Sequence, residues 1–211
     1  MLTININDKK YSSKVILQDI KLEISKNGLY GFVGKNGSGK TTFFKCISHL
    51  TDFQGEISYK NEILLPQQIA FLPTEPFLYE HLTVGEFYDF FQKLIKIKQR
   101  QNFIFDTDKN LLVKELSTGM RKKVYFNAVF QKEYDLYIFD EPFNGLDLES
   151  VFSIKKLLIT LAKNHIVFIS SHILETLKSC DKIYLLQNHS LTSFENHQLE
   201  ELTSFLMKDT F

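Results

Sequence analysis

Apolar and polar residues alternate in two segments near the start of the chain, residues 2–6 and 15–24. A period of two is typical of strands that bury only one face. The polar segment 8–13 between them predicts a turn, so we expect two antiparallel strands that continue as a meander. Asn27-Gly28 then turns the chain into residues 29–33, an apolar segment that predicts a buried strand.

Helical periodicity alternates with further strands along the rest of the chain. Thr83, followed three residues later by Glu86, forms a capping box that predicts the start of the second helix. One face of this helix is predicted to carry Phe87, Phe90, Phe91, Leu94 and Ile95. The predicted helices span residues 41–50, 84–98, 148–162 and 199–207, with one more that begins near Ser117 and ends near Phe130. The predicted strands lie within residues 52–59, 69–72, 136–139, 166–170, 183–186 and 190–194.

A glycine-rich segment, GKNGSGKTT at residues 34–42, separates the buried strand 29–33 from the first helix. It fits G-x-x-x-x-G-K-S/T, in which backbone N–H groups surround nucleotide phosphates, the lysine adds a positive charge and the hydroxyl faces Mg²⁺. Glycine is needed because the backbone takes positive φ and approaches the phosphates closely. The alternative is a glycine-rich turn with an incidental lysine. The phosphate site is predicted at Asn36, Gly37, Ser38, Gly39, Lys40, Thr41 and Thr42.

Two acidic residues and a histidine follow two other buried strands. Asp140 and Glu141 come directly after residues 136–139, and His172 comes just beyond residues 166–170. Because α/β sheets bind ligands beyond the carboxyl ends of their strands, we expect all three side chains to face the phosphate site. Asp140 would complete a Mg²⁺ site opposite Thr41, and Glu141 would polarise a water molecule. A purely structural histidine is the alternative for His172.

Two weaker signals also point to a nucleotide. Ser117 and Gly119 stand at the predicted start of a helix, where free N–H groups and the helix dipole favour an anion, although serine is also a common N-cap. Tyr11 lies in the first turn, ahead of the glycine-rich segment. Its ring could stack on a base or could anchor its own turn, and the sequence leaves both possibilities open.

Composition narrows the class of protein further. The 211 residues suffice for one sizeable core, and 44% hydrophobic and 24% charged residues are ordinary for a globular chain. A formal net charge of zero argues against a general nucleic-acid binder. We expect neither a secretory signal nor a membrane-spanning helix, and so a cytoplasmic chain that reaches a membrane only through a partner. The two cysteines, Cys46 and Cys180, fit no metal spacing and are expected to be buried, reduced thiols.

The order of these segments resembles the ATP-binding cassette ATPases, the nucleotide-binding subunits of ABC transporters, over nearly the whole chain. Residues 34–42 are similar to the family's Walker A motif, and residues 136–141 to its Walker B motif with the catalytic glutamate. Residues 116–120 resemble the signature, residues 144–147 the D-loop and His172 the switch histidine. Other NTPases share the Walker motifs. The signature ahead of Walker B and the histidine after it distinguish this family.

The resemblance implies an α/β fold, a P-loop NTPase (ABC ATPase) core with an antiparallel β subdomain and an inserted small helical subdomain. The chain would form a single domain over residues 1–211. Residues 1–75 and 131–211 would make the nucleotide-binding core with its β subdomain. The helical subdomain, about residues 76–130, would carry the signature.

The resemblance also implies ATP and Mg²⁺ as cofactors, bound between two such domains that face head to tail as a homodimer or heterodimer. Ser117 and Gly119 of one domain would reach the γ-phosphate bound to the other, and Tyr11 would stack on adenine. Glu141 would orient the attacking water, while His172 and Lys40 would hold the γ-phosphate. A separate transmembrane permease would be the partner, with no nucleic acid. The phosphates and Mg²⁺ would be held by Ser38, Lys40, Thr41 and Asp140.

The permease is expected to dock on a groove flanked by aromatic residues beside the loop that contacts the nucleotide. The flanking residues are Phe77, Leu78 and Tyr79 together with the helix that carries Phe87 and Phe91. Alternatively, Phe87 and Phe91 fill the core of the helical subdomain.

The sequence departs from the family pattern at two places. The signature is LSTGM where the family has LSGGQ, so Thr118 and Met120 replace a glycine and a glutamine. Thr74 stands where the family carries a glutamine that touches Mg²⁺ and the attacking water. Despite these departures, the resemblance implies an ATPase that powers transport. Export is favoured because the S-x-G-M-basic form resembles cassettes of drug and peptide exporters. The alternatives are a soluble non-transport cassette and a regulatory cassette that hydrolyses poorly.

Overall fold

The computed structural model describes residues 1–97, 103–195, 198 and 202–203. Strands and helices alternate through most of this part of the chain. The strands are β1 (Leu2–Tyr11), β2 (Lys14–Ile24), β3 (Gly28–Val33), β4 (Gln54–Tyr59), β5 (Glu62–Ile63), β6 (Ile69–Leu72), β7 (Leu136–Phe139), β8 (Ile166–Ser170), β9 (Lys182–Gln187) and β10 (Ser190–Glu195). The helices are α1 (Lys40–Ile47), α2 (Val84–Leu94), α3 (Thr118–Val129) and α4 (Leu148–Ala162). Short 3₁₀ turns lie at Pro66–Gln68, Val113–Glu115 and Leu174–Leu177.

The larger sheet has six strands in the order β10-β9-β3-β8-β7-β6. Every neighbouring pair from β9 to β6 is parallel, and only β10 runs antiparallel to its neighbour. Strands β3, β7 and β8 are buried at every position, as expected for a parallel sheet that is covered on both faces. Their carboxyl ends therefore meet at one edge of the sheet.

The smaller sheet is antiparallel, with the order β2-β1-β4-β5. Two details differ from the sequence prediction. β1 continues to Tyr11, which pairs with Lys14, so the turn is only Ser12-Ser13 rather than residues 8–13. The predicted meander is wrong as well, since β3 leaves this sheet and pairs with β8 and β9 in the parallel one. A strand buried on both faces gains more from the centre of a covered sheet than from an edge that faces water.

Aromatic side chains fill the core on both faces of the parallel sheet. On the face that packs against α1, the ring of Phe32 lies 5.2 Å from Phe44 and 4.9 Å from Phe168. On the opposite face, Phe130 stacks on Phe139 at 6.1 Å. Large, mutually packed rings explain why phenylalanine is abundant in the sequence.

The region between β6 and β7 contains α2 and α3, which pack on each other around a small apolar cluster that includes Val84, Phe87 and Val124. Asn127 on α3 is buried and ties the connecting segment to the two helices. Its Oδ1 accepts hydrogen bonds from the N–H groups of residues 104 and 105, and its Nδ2 donates to Phe105 O and Tyr88 Oη. A fully satisfied buried amide of this kind fixes the path of the segment, which Phe105 also anchors by packing in the core beside Phe126.

Several element ends differ from the sequence prediction. α1 ends at Ile47 because the chain turns at His49, which has a φ of 56°. α2 ends at Leu94 rather than near residue 98, and its residues Phe90 and Leu94 are exposed instead of joining Phe87 in the core. The predicted closing helix at residues 199–207 lies outside the described residues except for 202 and 203. In the described ranges, no helix is long and apolar enough to cross a membrane.

Candidate nucleotide site

The carboxyl ends of β3, β7 and β8 border a cavity of about 370 Å³. β3 leads into the glycine-rich segment 34–42, β7 into Asp140, and β8 into the segment that carries His172. The sheet therefore brings together residues that are more than 100 positions apart in the chain. The cavity is lined by Ile16, Asn36, Gly37, Gly39, Lys40, Thr41, Thr42, Thr74, Asp140, Glu141, Asn144 and His172.

The glycine-rich segment has the backbone that a phosphate loop needs. Gly37 and Gly39 take φ values of 80° and 107°, which side-chain-bearing residues rarely adopt. Gly39 is the N-cap of α1 and supplies no side-chain acceptor, so the first N–H groups of the helix keep their capacity for a ligand. Ser38 Oγ is buried without a hydrogen-bond partner among the described residues. These unsatisfied donors fit a group with many acceptor oxygens, such as a triphosphate.

Lys40 holds the loop in shape. Its Nζ donates to Gly34 O at 2.8 Å and to Lys35 O at 3.2 Å. Burial lowers the pKa of Lys40, and the carboxylates of Glu141 and Asp140 oppose that shift. A desolvated ammonium group is a strong partner for an anion because little water remains to screen it.

The acidic end of β7 meets the hydroxyl at the start of α1. Thr41 Oγ1 donates to Asp140 Oδ2 at 2.6 Å, and the other carboxylate oxygen, Oδ1, accepts from Ser170 Oγ at 2.6 Å. Asp140 is buried. A hydroxyl and a carboxylate are hard oxygen donors, and Mg²⁺ is usually held by one or two such protein ligands together with phosphate oxygens and water. Thr41 and Asp140 therefore fit a Mg²⁺ site that a nucleotide completes.

Glu141 is held by its backbone as well as by its side chain. Its φ is 49°, a left-handed value that is uncommon for a residue with a side chain and costs conformational energy. Its N–H donates to Ser170 Oγ at 2.9 Å. Its Oε2 lies 2.9 Å from His172 Nδ1, and because a carboxylate only accepts, the histidine donates.

The predicted signature residues lie close to the site without lining the cavity. Ser117 caps α3 and accepts from Met120 N at 3.3 Å. Gly119 packs against the D-loop so closely that a Cβ there would lie 2.7 Å from Gly145 O. Within one chain, the fold thus brings Gly119 to Gly145 of the D-loop, and neither Ser117 nor Gly119 lines the phosphate cavity.

Tyr11 is also placed apart from the lining residues. It is the last residue of β1 and is exposed, and Lys9 Nζ lies 4.4 Å from the centre of its ring. Lys9 is itself buried, and it donates to Thr51 Oγ1 and Asp52 O. Stacking of Tyr11 on adenine remains a prediction.

Sequence reasoning missed two residues that contact the acids. The hydroxyl of Ser170 donates to Asp140 Oδ1 and accepts a hydrogen bond from the N–H of Glu141. Lys122 Nζ donates to Glu141 O at 3.1 Å. The position of Ser170, at the end of a buried strand two residues before His172, was an available signal. Lys122 lies in a run of basic residues, and such runs are usually solvated, so the sequence offered no signal for it.

Comparison with known proteins agrees with this geometry. The family model described as ABC transporter matches residues 17–144. The chain is 32% identical to the uncharacterized ABC transporter ATP-binding protein YthP of Bacillus subtilis over 205 residues, which cover 90% of this chain and 85% of that protein. It is 30% identical to the lipopolysaccharide export system ATP-binding protein LptB of Haemophilus influenzae, with 84% and 83% covered. A solved structure described as the ATP binding subunit of an ABC transporter superposes with a TM-score of 0.86 at 26% identity, with 98% and 99% covered.

The fold and the site together define a P-loop nucleotide-binding α/β protein. The family match covers more than half of the chain and includes both Walker motifs. The chain belongs to the ABC transporter family and is one of its ATP-binding proteins, a family that generally hydrolyses ATP.

Proposed function

We propose that this chain hydrolyses ATP as the engine of a transporter, and that it works through a separate membrane permease. The observation that carries the proposal is the 2.9 Å contact between Glu141 and His172 at the cavity that Lys40 and Thr41 also line. A regulatory cassette needs only the phosphate loop. The acid and the imidazole at this cavity are the groups that hydrolysis requires in addition.

Each residue has a role that its position supports. Lys40 and the N–H groups of the phosphate loop hold the β- and γ-phosphates, and Thr41 and Asp140 hold Mg²⁺. The metal would neutralise charge that develops on the phosphate oxygens. Glu141 orients a water molecule for in-line attack, and His172 holds the side chain of Glu141 and the end of the γ-phosphate. Catalysis by such a site is mainly positioning and charge stabilisation.

A single chain leaves this site incomplete, which supports the proposed head-to-tail dimer. Ser117 and Gly119 do not line the cavity of their own chain, and the N-terminus of α3 offers donors for an anion. In the dimer, these donors of one chain face the γ-phosphate held by the other. Closure on ATP and opening after hydrolysis would move the permease, with the chain held at the cytoplasmic face of the membrane. The Haemophilus relative is named as the ATP-binding protein of a lipopolysaccharide export system, which favours export.

An exposed cluster of rings supports the proposed contact with the permease. The aromatic patch consists of Phe77, Tyr79 and Phe90, which are 74%, 46% and 39% exposed. The ring centre of Tyr79 lies 5.3 Å from that of Phe77 and 5.0 Å from that of Phe90. The predicted groove is wrong for Leu78, which is buried in the helical cluster. Phe87 is buried there and Phe91 packs against it, in agreement with the alternative that these two rings fill the helical core. Aromatic side chains such as these are enriched at the centres of protein interfaces.

The proposal is tested by ATP turnover of the purified chain beside Glu141→Gln, with size-exclusion chromatography of both in Mg²⁺ and ATP. Loss of the carboxylate removes the group that orients water, so turnover should fall by about 10²–10⁴-fold while ATP still binds. The variant should accumulate as an ATP-bound dimer. Glu149→Gln, at an exposed position in the first turn of α4, is the matched control and should keep parental turnover. If the parent binds ATP but neither hydrolyses it nor dimerises, the regulatory alternative replaces this proposal.

A further inference from the structure

Lys122 is a buried lysine whose ammonium group lies among the acids of the site. It is on α3, between the signature and the buried Asn127, and it is only 3% exposed. Its Nζ donates to the main-chain carbonyl of Glu141 at 3.1 Å. Long cationic side chains are rarely buried without a specific partner, because desolvation of the charge is costly.

The bond reaches Glu141 where its backbone is unusual. The residue has a left-handed φ of 49°, and the N–H of Asn144 approaches the same carbonyl at 3.4 Å. A charge-assisted bond to that carbonyl from a side chain held by packing opposes rotation of this peptide into a more common conformation. Burial lowers the pKa of Lys122, while the carboxylates of Glu141, Asp140 and Glu75 oppose the shift, so the ammonium group is surrounded by negative charge.

The bond also joins two parts of the fold. α3 packs on α2 in the region between β6 and β7, whereas Glu141 follows β7 of the parallel sheet. Lys122 thus makes a direct polar link between the signature helix and the backbone of Glu141. The next residue of the helix, Lys123, makes a second link to the same segment, since its Nζ lies 2.9 Å from Asp147 Oδ2.

We infer that Lys122 is a positioning residue, which holds the Glu141 backbone in its left-handed conformation and so couples the signature helix to the carboxylate that orients water. Lys122 is not among the residues that line the cavity, so it is assigned a positioning role and not a catalytic one. A movement of α3 would be transmitted to Glu141 through this bond. The inference rests on the proposed function only for its kinetic consequence, since the effect on the Glu141 backbone requires no hydrolysis.

The test compares Lys122→Met with Lys132→Met in the full chain. Methionine retains the length of the lysine side chain but loses its charge and donors. Lys132 is the matched control because its Nζ also donates to a main-chain carbonyl, that of Gln67 at 2.7 Å, away from the acids. Hydrogen exchange of the peptide that contains residues 141–147 reports on the backbone directly, and steady-state kinetics and the melting temperature are measured on the same samples.

Lys122→Met should exchange faster at residues 141–147 and lose about tenfold or more in kcat, with the KM for ATP nearly unchanged. Lys132→Met should match the parent in both, and Lys122→Arg, which keeps the charge and donors, should recover most of kcat. Unchanged exchange and kcat in Lys122→Met would overturn the inference, as would an equal loss in Lys132→Met. If Lys122→Met does not fold, Lys122→Gln is judged by the same two readouts. If the parent does not hydrolyse ATP, the proposed function fails and the exchange measurement alone decides the role of Lys122.

Discussion

His172 Nδ1 donates to Glu141 Oε2 across 2.9 Å, although 31 positions separate the two residues in the chain. Each follows the carboxyl end of its own parallel strand, and β7 and β8 are neighbours in register. Glu141 is nearly buried, whereas His172 is exposed at the mouth of the cavity. The histidine therefore orients the carboxylate from the side that a second domain would cover.

Replacement of His172 by alanine should lower ATP turnover by about 10²–10⁴-fold, because Glu141 loses the partner that orients it. ATP affinity should change little, since the phosphate loop is untouched. Steady-state turnover and binding of a fluorescent ATP analogue measure the two quantities. His81→Ala is the control, at an exposed histidine outside the cavity. Equal turnover in His172→Ala and His81→Ala would contradict the role given to His172.

Thr41→Val should weaken ATP binding selectively in the presence of Mg²⁺. Valine has nearly the shape of threonine but cannot bond Asp140 or ligate the metal, so we expect the Kd in Mg²⁺ to rise by about tenfold or more. With EDTA in place of Mg²⁺ the two proteins should bind ATP alike. Calorimetry under both conditions separates the effects, with Thr160→Val on the exposed face of α4 as the control. A loss of the same size with and without Mg²⁺ would argue against Thr41 as a metal ligand.

Gly119→Ala should destabilise the contact between the signature helix and the D-loop. The added Cβ would lie 2.7 Å from Gly145 O, so one backbone must shift, and overpacking of this kind costs roughly 1–3 kcal/mol in the free energy of unfolding. Gly85→Ala is a matched comparison near the start of α2, where the nearest atom is 3.2 Å away, and it should cost less. Urea denaturation of the two variants gives the comparison. A Gly119→Ala protein as stable as the parent would show that the D-loop backbone moves to accommodate the methyl group at no cost.

Short-range sequence patterns predicted the strand-loop-helix around Lys40 and the acids after β7, because each depends on burial and turn chemistry within about ten residues. Pairing across long distances was harder to predict. β3 carries the same apolar signal whether it continues a meander or enters a parallel sheet, and only its partners β8 and β9 decide between the two. Lys122 illustrates the same limit, since its role depends on a carbonyl 19 positions away.

The two thiols should be unreactive in the native protein. They should also make the free energy of unfolding fall as the pH rises into the alkaline range. Burial raises the pKa of Cys46 to about 11 and that of Cys180 to about 12. Unfolded thiols ionise near pH 8.5, so above that pH the unfolded state binds fewer protons than the native state and stability falls as pH rises. The slope is at most about 1.4 kcal/mol per pH unit for each thiol.

A thiol reagent at pH 8 should therefore label neither cysteine until denaturant is added, when it should label both. The free energy of unfolding, measured from pH 8 to pH 10.5, should fall less steeply in a Cys46→Ala, Cys180→Ala double variant than in the parent. Rapid labelling of the native protein would show that these sites open far more often than their packing indicates.

Tyr79→Asp should weaken capture of the membrane partner without affecting the nucleotide site. Tyr79 is the central ring of the aromatic patch and contacts both Phe77 and Phe90, so a charge there would have to be desolvated on docking. Retention of integral membrane proteins by the tagged chain, compared with ATP binding by the same preparation, measures the effect. Phe152→Asp is the control because Phe152 is also an exposed ring and lies on α4, outside the patch. If both variants retain the partner equally, the permease docks elsewhere, and if both lose it, the loss reflects added charge rather than this surface.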